Sequence, residues 1–575
     1  WESNEQFLHP GTGYFWNPAE NDLQLWQHIV APEEYGGDTG AGSETIYTRN
    51  LNAALGLRGQ LGADWNYDLY YNRSQANTVD SYRHFIKSAV DNYYLGPQMG
   101  TYYGYPVYTP DKNKLYTPLT PAVFNSLTAR INNPSVAWNQ NVNFTVTNPT
   151  LFHLPAGDAG VAATVQLGGD SLHNSIPALI SSGDALGLTG SEAAGHRSNV
   201  GVGAELRIPV ISTLTADVSG RYDNYSFAGT DAGKFTYKLG LEYRPIDTLL
   251  LRGNYATAFR APDLVNVFGS NGFFSSGTDY YQCRLAGFGP GTYQNCNDYS
   301  DQFFGTNGSS KNLNDVTAKT LTYGAVYSPV DKLTFTVDYQ RVEIKNEVTQ
   351  LSTDQLLQDE ADCLLGQTVG GATIDPNSPS CKLYESLVTR NAPDAKTNPN
   401  GLLTVTTYPI NASSESENGL IAQANYLLDM NKYGTLGFNV NYYIEFQHLF
   451  QQFPGDPVIN VYHDARFTDW KSTVNSSVTW NVGHWSTTLY QQRYGSIPNA
   501  GQTGTLAPWI LYNGSIKYSF DSGAAIQVTA NNLRNSKPPV DRTASTFPYY
   551  NTYNYNPYGR VVWVEFAYRF GASKE

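Results

Sequence analysis

The run from Tyr558 to Phe570, YGRVVWVEFAYRF, constrains the fold more tightly than any other stretch of the chain. Side chains of a β-strand alternate between two faces. With that period, Val562, Val564, Phe566, Tyr568 and Phe570 form an unbroken apolar face, while Val561, Trp563, Glu565, Ala567 and Arg569 form a second face that carries both charges. A soluble antiparallel strand with its apolar face on a core reads this way. So does a strand of an outer-membrane barrel, apolar toward lipid and polar toward a wet lumen. One strand does not separate the two settings; recurrence along the chain does.

The same pattern returns. Phe235, Tyr237, Leu239, Leu241 and Tyr243 alternate with Thr236, Lys238, Gly240, Glu242 and Arg244, and Leu214, Ala216, Val218, Gly220 and Tyr222 alternate with Thr215, Asp217, Ser219, Arg221 and Asp223. In Leu333 to Gln340 the apolar set is Leu333, Phe335, Val337 and Tyr339, and the phase slips at Arg341, which reads as a bulge or as the strand leaving a membrane. From Phe152 onward, tight turns (154–159, 209–213, 245–248, 329–332, 431–434, 482–484 and 520–523) alternate with long connections (170–196, 260–316, 348–413, 448–465, 496–506 and 534–557). That asymmetry belongs to an up-and-down barrel with short inner turns and long outer loops. An earlier strand pair, Tyr47–Gly59 and Asp64–Arg73, turns around residues 60–63. Residues 1–46 read as a long loop, and 78–148 as an irregular segment with one short helix at Pro121–Ile131. A soluble sandwich needs a second sheet to cover these apolar faces, whereas a barrel needs only lipid. The expected fold is therefore all-β, a transmembrane antiparallel up-and-down β-barrel of about 17 strands in this chain.

Composition agrees. Charged residues make up 15% of the chain, below the roughly 25% of soluble domains, yet no apolar run approaches the ~18 residues of a membrane helix. The 43 Tyr, 25 Phe and 10 Trp suit interfacial girdles, and Trp65, Trp480, Trp485 and Tyr518 fall beside tight turns. A net charge of -14 argues against a nucleic-acid partner, which needs a basic footprint. Four cysteines form two local pairs, Cys283 with Cys296 and Cys363 with Cys381; local pairing is favoured among the three possibilities, stabilises each loop by about 3 kcal/mol, and implies an oxidising compartment. The nine His are dispersed without H-E-x-x-H spacing, and no P-loop, G-x-S-x-G elbow or Rossmann fingerprint is present, so neither an enzyme nor a cofactor is expected. The acidic run Glu33 to Glu44 does not match an EF-hand loop, and no metal site is expected there.

Two stretches go beyond periodicity. Residues 243–268, YRPIDTLLLRGNYATAFRAPDLVNVF, resemble the central barrel motif of TonB-dependent outer-membrane receptors, a strand ending in Phe259-Arg-Ala-Pro262. Val528 to Pro539, with Gly559 and Arg560 leading into the last aromatic strand, is similar to that family's final hairpin, and residues 152–157 and 205–209 are similar to its intermediate strands. The resemblance implies a barrel of about 22 strands around an N-terminal plug. It also implies the outer membrane of a Gram-negative bacterium, crossed many times, and nutrient import driven by the TonB complex. No plug-like or TonB-box-like segment is recognisable. The expectation is that 1–46 is an outer-loop segment, 47–570 the C-terminal part of the barrel and 571–575 a tail. An N-terminal fragment with the plug and roughly five strands is expected to complete it, because an open sheet edge in lipid is too costly.

Within that resemblance the substrate expected is a ferric siderophore, with a carbohydrate as the alternative and a passive porin or structural barrel as the reading if the chain is complete. Loop aromatics that stack on a sugar or a catecholate are Tyr102, Tyr103, Tyr105, Phe273, Phe274, Tyr280 and Tyr281; packing within the loops is the competing reading for each. Arg252, Asn254 and Arg260 share the polar face of the motif strand and are expected to face the lumen and hold the plug.

Overall fold

The computed structural model describes residues 14–570 apart from 18–21, 25–29, 38–41, 63, 103–104, 109–110, 289–295, 297–298, 369–370, 372, 396–397, 452–457, 464–468, 502 and 545–546. Seventeen strands build one sheet: β1 (Thr45–Leu61), β2 (Trp65–Phe85), β3 (Thr128–Leu154), β4 (Gly157–Asn174), β5 (Ser191–Ile211), β6 (Leu214–Phe227), β7 (Thr230–Ile246), β8 (Leu249–Arg260), β9 (Val316–Val330), β10 (Leu333–Gln350), β11 (Pro409–Asp429), β12 (Thr435–Gln451), β13 (Ser472–Val482), β14 (Trp485–Tyr494), β15 (Trp509–Ser519), β16 (Ala524–Asn531) and β17 (Val561–Tyr568). Each pairs antiparallel with the next. The sheet rolls into a barrel whose order returns from β17 to β1. Residue-to-residue register runs from β1 through to β17 and is not continued across that seam among the described residues. The seam strands are correspondingly bare: every residue of β17 is exposed, and all but one of β1.

The dyad pattern decides what the sheet faces. Leu239 and Leu241 on the outer face of β7 are 50% and 54% exposed, while Thr236, Gly240 and Glu242 on the other face are half-buried. Leu51, Leu55, Val202, Val218, Leu489 and Ile516 continue the same exposed apolar band around the sheet. The clusters of buried apolar side chains lie elsewhere. Each is built from the long connections and the strand ends beside them, around Phe303 and Leu357, around Val90 and Phe124, around Trp509 and Tyr555, and around Ile131 and Ile180. A soluble sandwich buries its apolar faces between sheets; here they stay outside, as a lipid-facing wall requires. Among the described residues no helix is long and apolar enough to cross a membrane.

All eight tight turns expected from the sequence join consecutive strands at one end of the barrel. Gly483, with φ of +54°, supplies the left-handed residue that the two-residue turn between β13 and β14 needs. Aromatic side chains gather at this end: Trp480 Nε1 donates to the Tyr433 carbonyl at 2.9 Å, and the Trp485, Tyr518 and Phe520 rings follow one another at 4.8 Å centroid spacings. Trp and Tyr anchor where apolar and wet surroundings meet.

Three readings change. Residues 78–85 and 128–148 are not irregular, because β2 runs on to Phe85 and β3 begins at Thr128. Val136, Trp138, Val142, Phe144 and Val146 share one face and alternate with Ser135, Ala137, Asn139, Asn141, Asn143 and Thr145, so the period of two is present there, masked by the Asn content that reads as loop. The expected helix is confined to Pro121–Leu127. No bulge lies at Arg341, where β9 and β11 both stay in register; the shift falls between Ile344 and Glu347. Within 14–44, short strands Tyr14–Asn17 and Asp22–Gln24 join Gln98–Tyr102 and Tyr105–Tyr108 in a separate four-stranded sheet. The tail 571–575 lies outside the described residues.

Lipid on the outer face makes an asymmetric prediction for β7. Leu241→Arg is expected to lower the free energy of unfolding from liposomes by about 2–4 kcal/mol, measured by urea titration, while Lys238→Gln on the inner face shifts it by less than about 0.5 kcal/mol. Equal effects at the two positions would contradict the assignment of faces.

Candidate functional site

The inner wall is a lattice of charged side chains that reach across strands. Arg252 on β8 is in register with Gly324 on β9, which is in register with Asp338 on β10. Because Gly324 has no side chain, the guanidinium crosses the intervening strand and binds Asp338 through both nitrogens, Nε to Oδ1 at 2.9 Å and Nη2 to Oδ2 at 2.6 Å. A Cβ on Gly324 would collide with that carboxylate and with the Val337 carbonyl. The fork-on-carboxylate geometry is the strong form of an ion pair. Arg207 bridges Asp217 and Glu242, each at 3.2 Å. Arg221 holds Asp223 at 2.6 Å and Gln166 at 2.9 Å. Arg197 donates to Asp170 and to the carbonyl of Pro262, both at 2.8 Å, which ties the end of the Phe259-Arg-Ala-Pro262 stretch to the wall.

Of the residues expected to face the lumen, Arg252 is thus committed to Asp338. The buried Oδ1 of Asn254 accepts no hydrogen bond among the described residues. Arg260 is exposed at the end of β8, and its charge acts on Glu347 of β10.

Above the wall, the long connections after β8 and β10 fold into a cap. It comprises the hairpin Gly269–Thr278 with Ser300–Asn307, helix α1 (Tyr280–Leu285), α2 (Thr353–Leu365), α3 (Pro379–Leu387), and strands Val388–Arg390 and Leu402–Thr407. Ser300–Asn307 and Leu402–Thr407 pair in parallel and so join the two connections into one unit. The helices start at side-chain caps, Asp279 for α1, Ser352 for α2 and Ser378 for α3, each accepting from a backbone N–H of the first turn. Phe303, Leu351, Leu356, Leu357, Val388, Leu402 and Val405 form its core. Both expected disulfides are present, Cys283 to Cys296 with Cα atoms 5.6 Å apart and Cys363 to Cys381 at 5.3 Å, the second joining α2 to α3.

A buried ion network locks this cap. Arg390 binds Glu360 with two nitrogens, at 2.7 and 2.6 Å, and binds Asp279 at 2.7 Å and the Asn400 carbonyl at 2.9 Å with the third. Its guanidinium lies 5.1 Å from the Tyr281 ring. Asp279 and Glu360 are 2% and 3% exposed. Burial pushes the Glu360 carboxyl above the usual range against the pull of Arg390. The same burial opposes the Arg390 charge, but the two carboxylates outweigh it and hold that guanidinium above its ordinary value. Arg284 on α1 pairs with Asp362 on α2 and donates to the Gln367 carbonyl at 2.6 Å.

The loop aromatics separate into two places. Phe273 packs on Phe303 at 6.4 Å, and Tyr280 donates its hydroxyl to Asp354 at 2.8 Å, its pKa pushed up to about 12 by burial and then by that carboxylate. With Tyr281 under Arg390, these three belong to the cap. Phe274 is in register with Phe304, and its side chain lies outside the described residues. Tyr102 and Tyr105 face each other in the separate four-stranded sheet; their side chains, and Tyr103 altogether, lie outside the described residues. Sequence reasoning missed Arg390, Glu360 and Asp279. They are 30 and 111 residues apart, so no local spacing announces them.

Removing one partner of a buried ion network costs roughly 3–5 kcal/mol, because the other charges stay behind uncompensated. Arg390→Ala is therefore expected to speed amide hydrogen exchange in α2 and Leu402–Thr407 while leaving β5 to β7 protected. Cys283→Ser should loosen the loop after α1 without unfolding the barrel in detergent. Collapse of the whole barrel in either variant would contradict an independently held cap.

No curated protein sequence matches the chain. Among solved structures, the chain is similar to the siderophore receptor PirA from Acinetobacter baumannii, with 12% identity, a TM-score of 0.50, and coverage of 93% of this chain and 73% of that one. A mutant of the ferric enterobactin receptor PfeA from Pseudomonas aeruginosa has 13% identity, a TM-score of 0.48, and coverage of 92% and 70%. The ferric-catecholate import receptor Fiu from E. coli K12 has 11% identity, a TM-score of 0.48, and coverage of 86% and 61%. At such identities the likeness speaks to the fold alone. The family model described as TonB dependent receptor-like, beta-barrel matches residues 4–533. The chain with its lipid-facing strands, polar inner wall and stapled outer cap belongs to the TonB-dependent receptor-like β-barrel family.

Proposed function

We propose that this chain is the barrel of an active-transport receptor in the outer membrane of a Gram-negative bacterium, and that it captures a ferric siderophore and passes it inward on energy from the TonB complex. The observation that carries the reading is a rigid cap of loops, with its own core and two disulfides, in a family of outer-membrane TonB-dependent receptors. The solved structure at a TM-score of 0.50 is named a siderophore receptor, which favours that substrate class. The chemistry asked of the protein is binding and passage, not bond making. Loop aromatics Tyr102, Tyr103, Tyr105, Phe273, Phe274, Tyr280 and Tyr281 are the contact candidates, and Arg252, Asn254 and Arg260 are the candidates to face a plug. In this reading residues 1–46 belong to the outer loops, 47–570 to the barrel and 571–575 to a tail. A plug-bearing N-terminal piece completes the receptor, in keeping with the bare faces of β1 and β17.

The test pairs growth with binding. A strain lacking the receptor is expected to lose growth on a ferric tris-catecholate under iron limitation and to recover it with the intact gene. The purified receptor should show saturable tryptophan quenching by the same complex and none by a maltodextrin. Quenching by the sugar alone, with unchanged growth on the iron complex, would replace the siderophore with a carbohydrate. Free diffusion of both through reconstituted barrels would make the protein a porin.

A further inference from the structure

Strands β11 and β12 carry a group of side chains that neither the cap nor the ion-paired wall uses. Glu445 and His448 both point inward, although residues three apart on a regular strand face opposite ways. A register shift between Asn418 and Gly419 explains it. Glu445 pairs with Gly419, Gln447 with Asn418 and His448 with Glu417, so Phe446 is an extra residue, 48% exposed on the outside. A bulge of this kind re-aims the side chains that follow it. Gly419 leaves room beneath, since a Cβ there would lie 2.6 Å from the Ile444 carbonyl oxygen. Glu445 sits 11 residues from the tight turn at 431–434, and Glu417 and His448 14, at or past the ~9–11 residues that cross a bilayer, and hence at the outer mouth.

Its donor atoms converge. Ligand atoms of Glu417, Glu445 and His448 all lie within 4.8 Å of one another. Glu445 is 5% exposed and His448 9% exposed, and Glu445 Oε1 and His448 Nδ1 have no hydrogen-bond partner among the described residues. These two atoms face each other at 3.6 Å. That is too far for a hydrogen bond, but close to the roughly 3.3–3.5 Å between neighbouring ligands of a tetrahedral ion held at about 2.0–2.2 Å. The opposite atom of each side chain is occupied. His448 Nε2 is paired with Glu415, and the Tyr462 hydroxyl donates to Glu445 Oε2. A carboxylate on the far ring nitrogen is how metal-binding histidines are oriented. With Nε2–H given to Glu415, the Nδ1 lone pair is turned toward Glu445 and Glu417. Three carboxylates thus surround one imidazole; Tyr443 also meets Glu445, Asp469 acts on Tyr462, and around them lie Glu347, Arg260 and Lys471, whose Nζ is 6.0 Å from the Tyr462 ring.

We infer that Glu417, Glu445 and His448 form a binding site for a divalent transition-metal ion of the zinc class at the outer mouth of the barrel, with Glu415 and Tyr462 as its positioning residues. One imidazole and two carboxylates suit such an ion, and the imidazole disfavours calcium and magnesium, which take oxygen alone. Bound metal also fixes the short segment Val461–His463 to the wall through Tyr462 and Glu445. The site does not depend on which nutrient the receptor carries.

The experiment uses the purified receptor in detergent, stripped with a chelator and titrated with zinc chloride by calorimetry in excess magnesium. One equivalent is expected to bind, with zinc-edge X-ray absorption showing nitrogen and oxygen ligands that include one imidazole. His448→Gln and Glu445→Gln should each weaken binding by at least ~100-fold, and Glu415→Gln by about 10–100-fold, since it only orients the ring. Heat-modifiable gel migration confirms that each variant is folded. The inference is overturned if zinc fails to bind in one-to-one ratio, or if a folded His448→Gln protein binds it as tightly as the parent.

Discussion

Everything in this molecule follows from a rule about backbone hydrogen bonds in hydrocarbon. A chain that crosses lipid has no water to satisfy its N–H and C=O groups, so each strand must find them in its neighbours. The seventeen strands do so in sequence order, each antiparallel to the next. Once the backbone is paired, side chains have only two directions, and the chain assigns lipid to one and charge to the other. That is why, among the described residues, the buried apolar clusters lie where the long connections fold on themselves and on the strand ends beside them rather than inside the barrel wall.

The inner wall shows what a polar face does when it cannot rely on packing. Arg252 reaches Asp338 past Gly324, Arg207 bridges two carboxylates, and Arg221 gathers Asp223 and Gln166. Charged groups on neighbouring strands satisfy one another and so fix the faces of the sheet from inside, as lipid does from outside. A slip of one residue would carry every arginine of a strand into hydrocarbon.

How much of this could be read from the sequence depends on the range of the signal. Tight turns, the dyad on β6 and β7, and the cysteine pairs are local, and the structure has them where the sequence places them. The run in β3 does carry a dyad, with Val136, Trp138, Val142, Phe144 and Val146 on one face, but its many Asn residues and the Pro134 at its start read as loop chemistry and mask it. Arg390 with Glu360 and Asp279 joins segments that only the fold brings together. The pair Glu445 and His448 was hidden for a subtler reason. Three residues apart on a strand reads as opposite faces, and only the extra residue at Phe446 reverses that parity.

The cap has its own core, its own staples and its own ion network; its chain enters and leaves through the ends of β8, β9, β10 and β11, and its hairpin pairs with the start of β5 at residues 191–193. Barrel and cap therefore answer to different solvents and different selection. The wall is held to a fixed geometry by the thickness of a bilayer, whereas the cap faces water and is free to vary as long as its few anchoring strand ends keep their spacing. A barrel built this way is a standing frame with an exchangeable head: the head can be rewritten by drift or by grafting without renegotiating a single membrane-spanning pair.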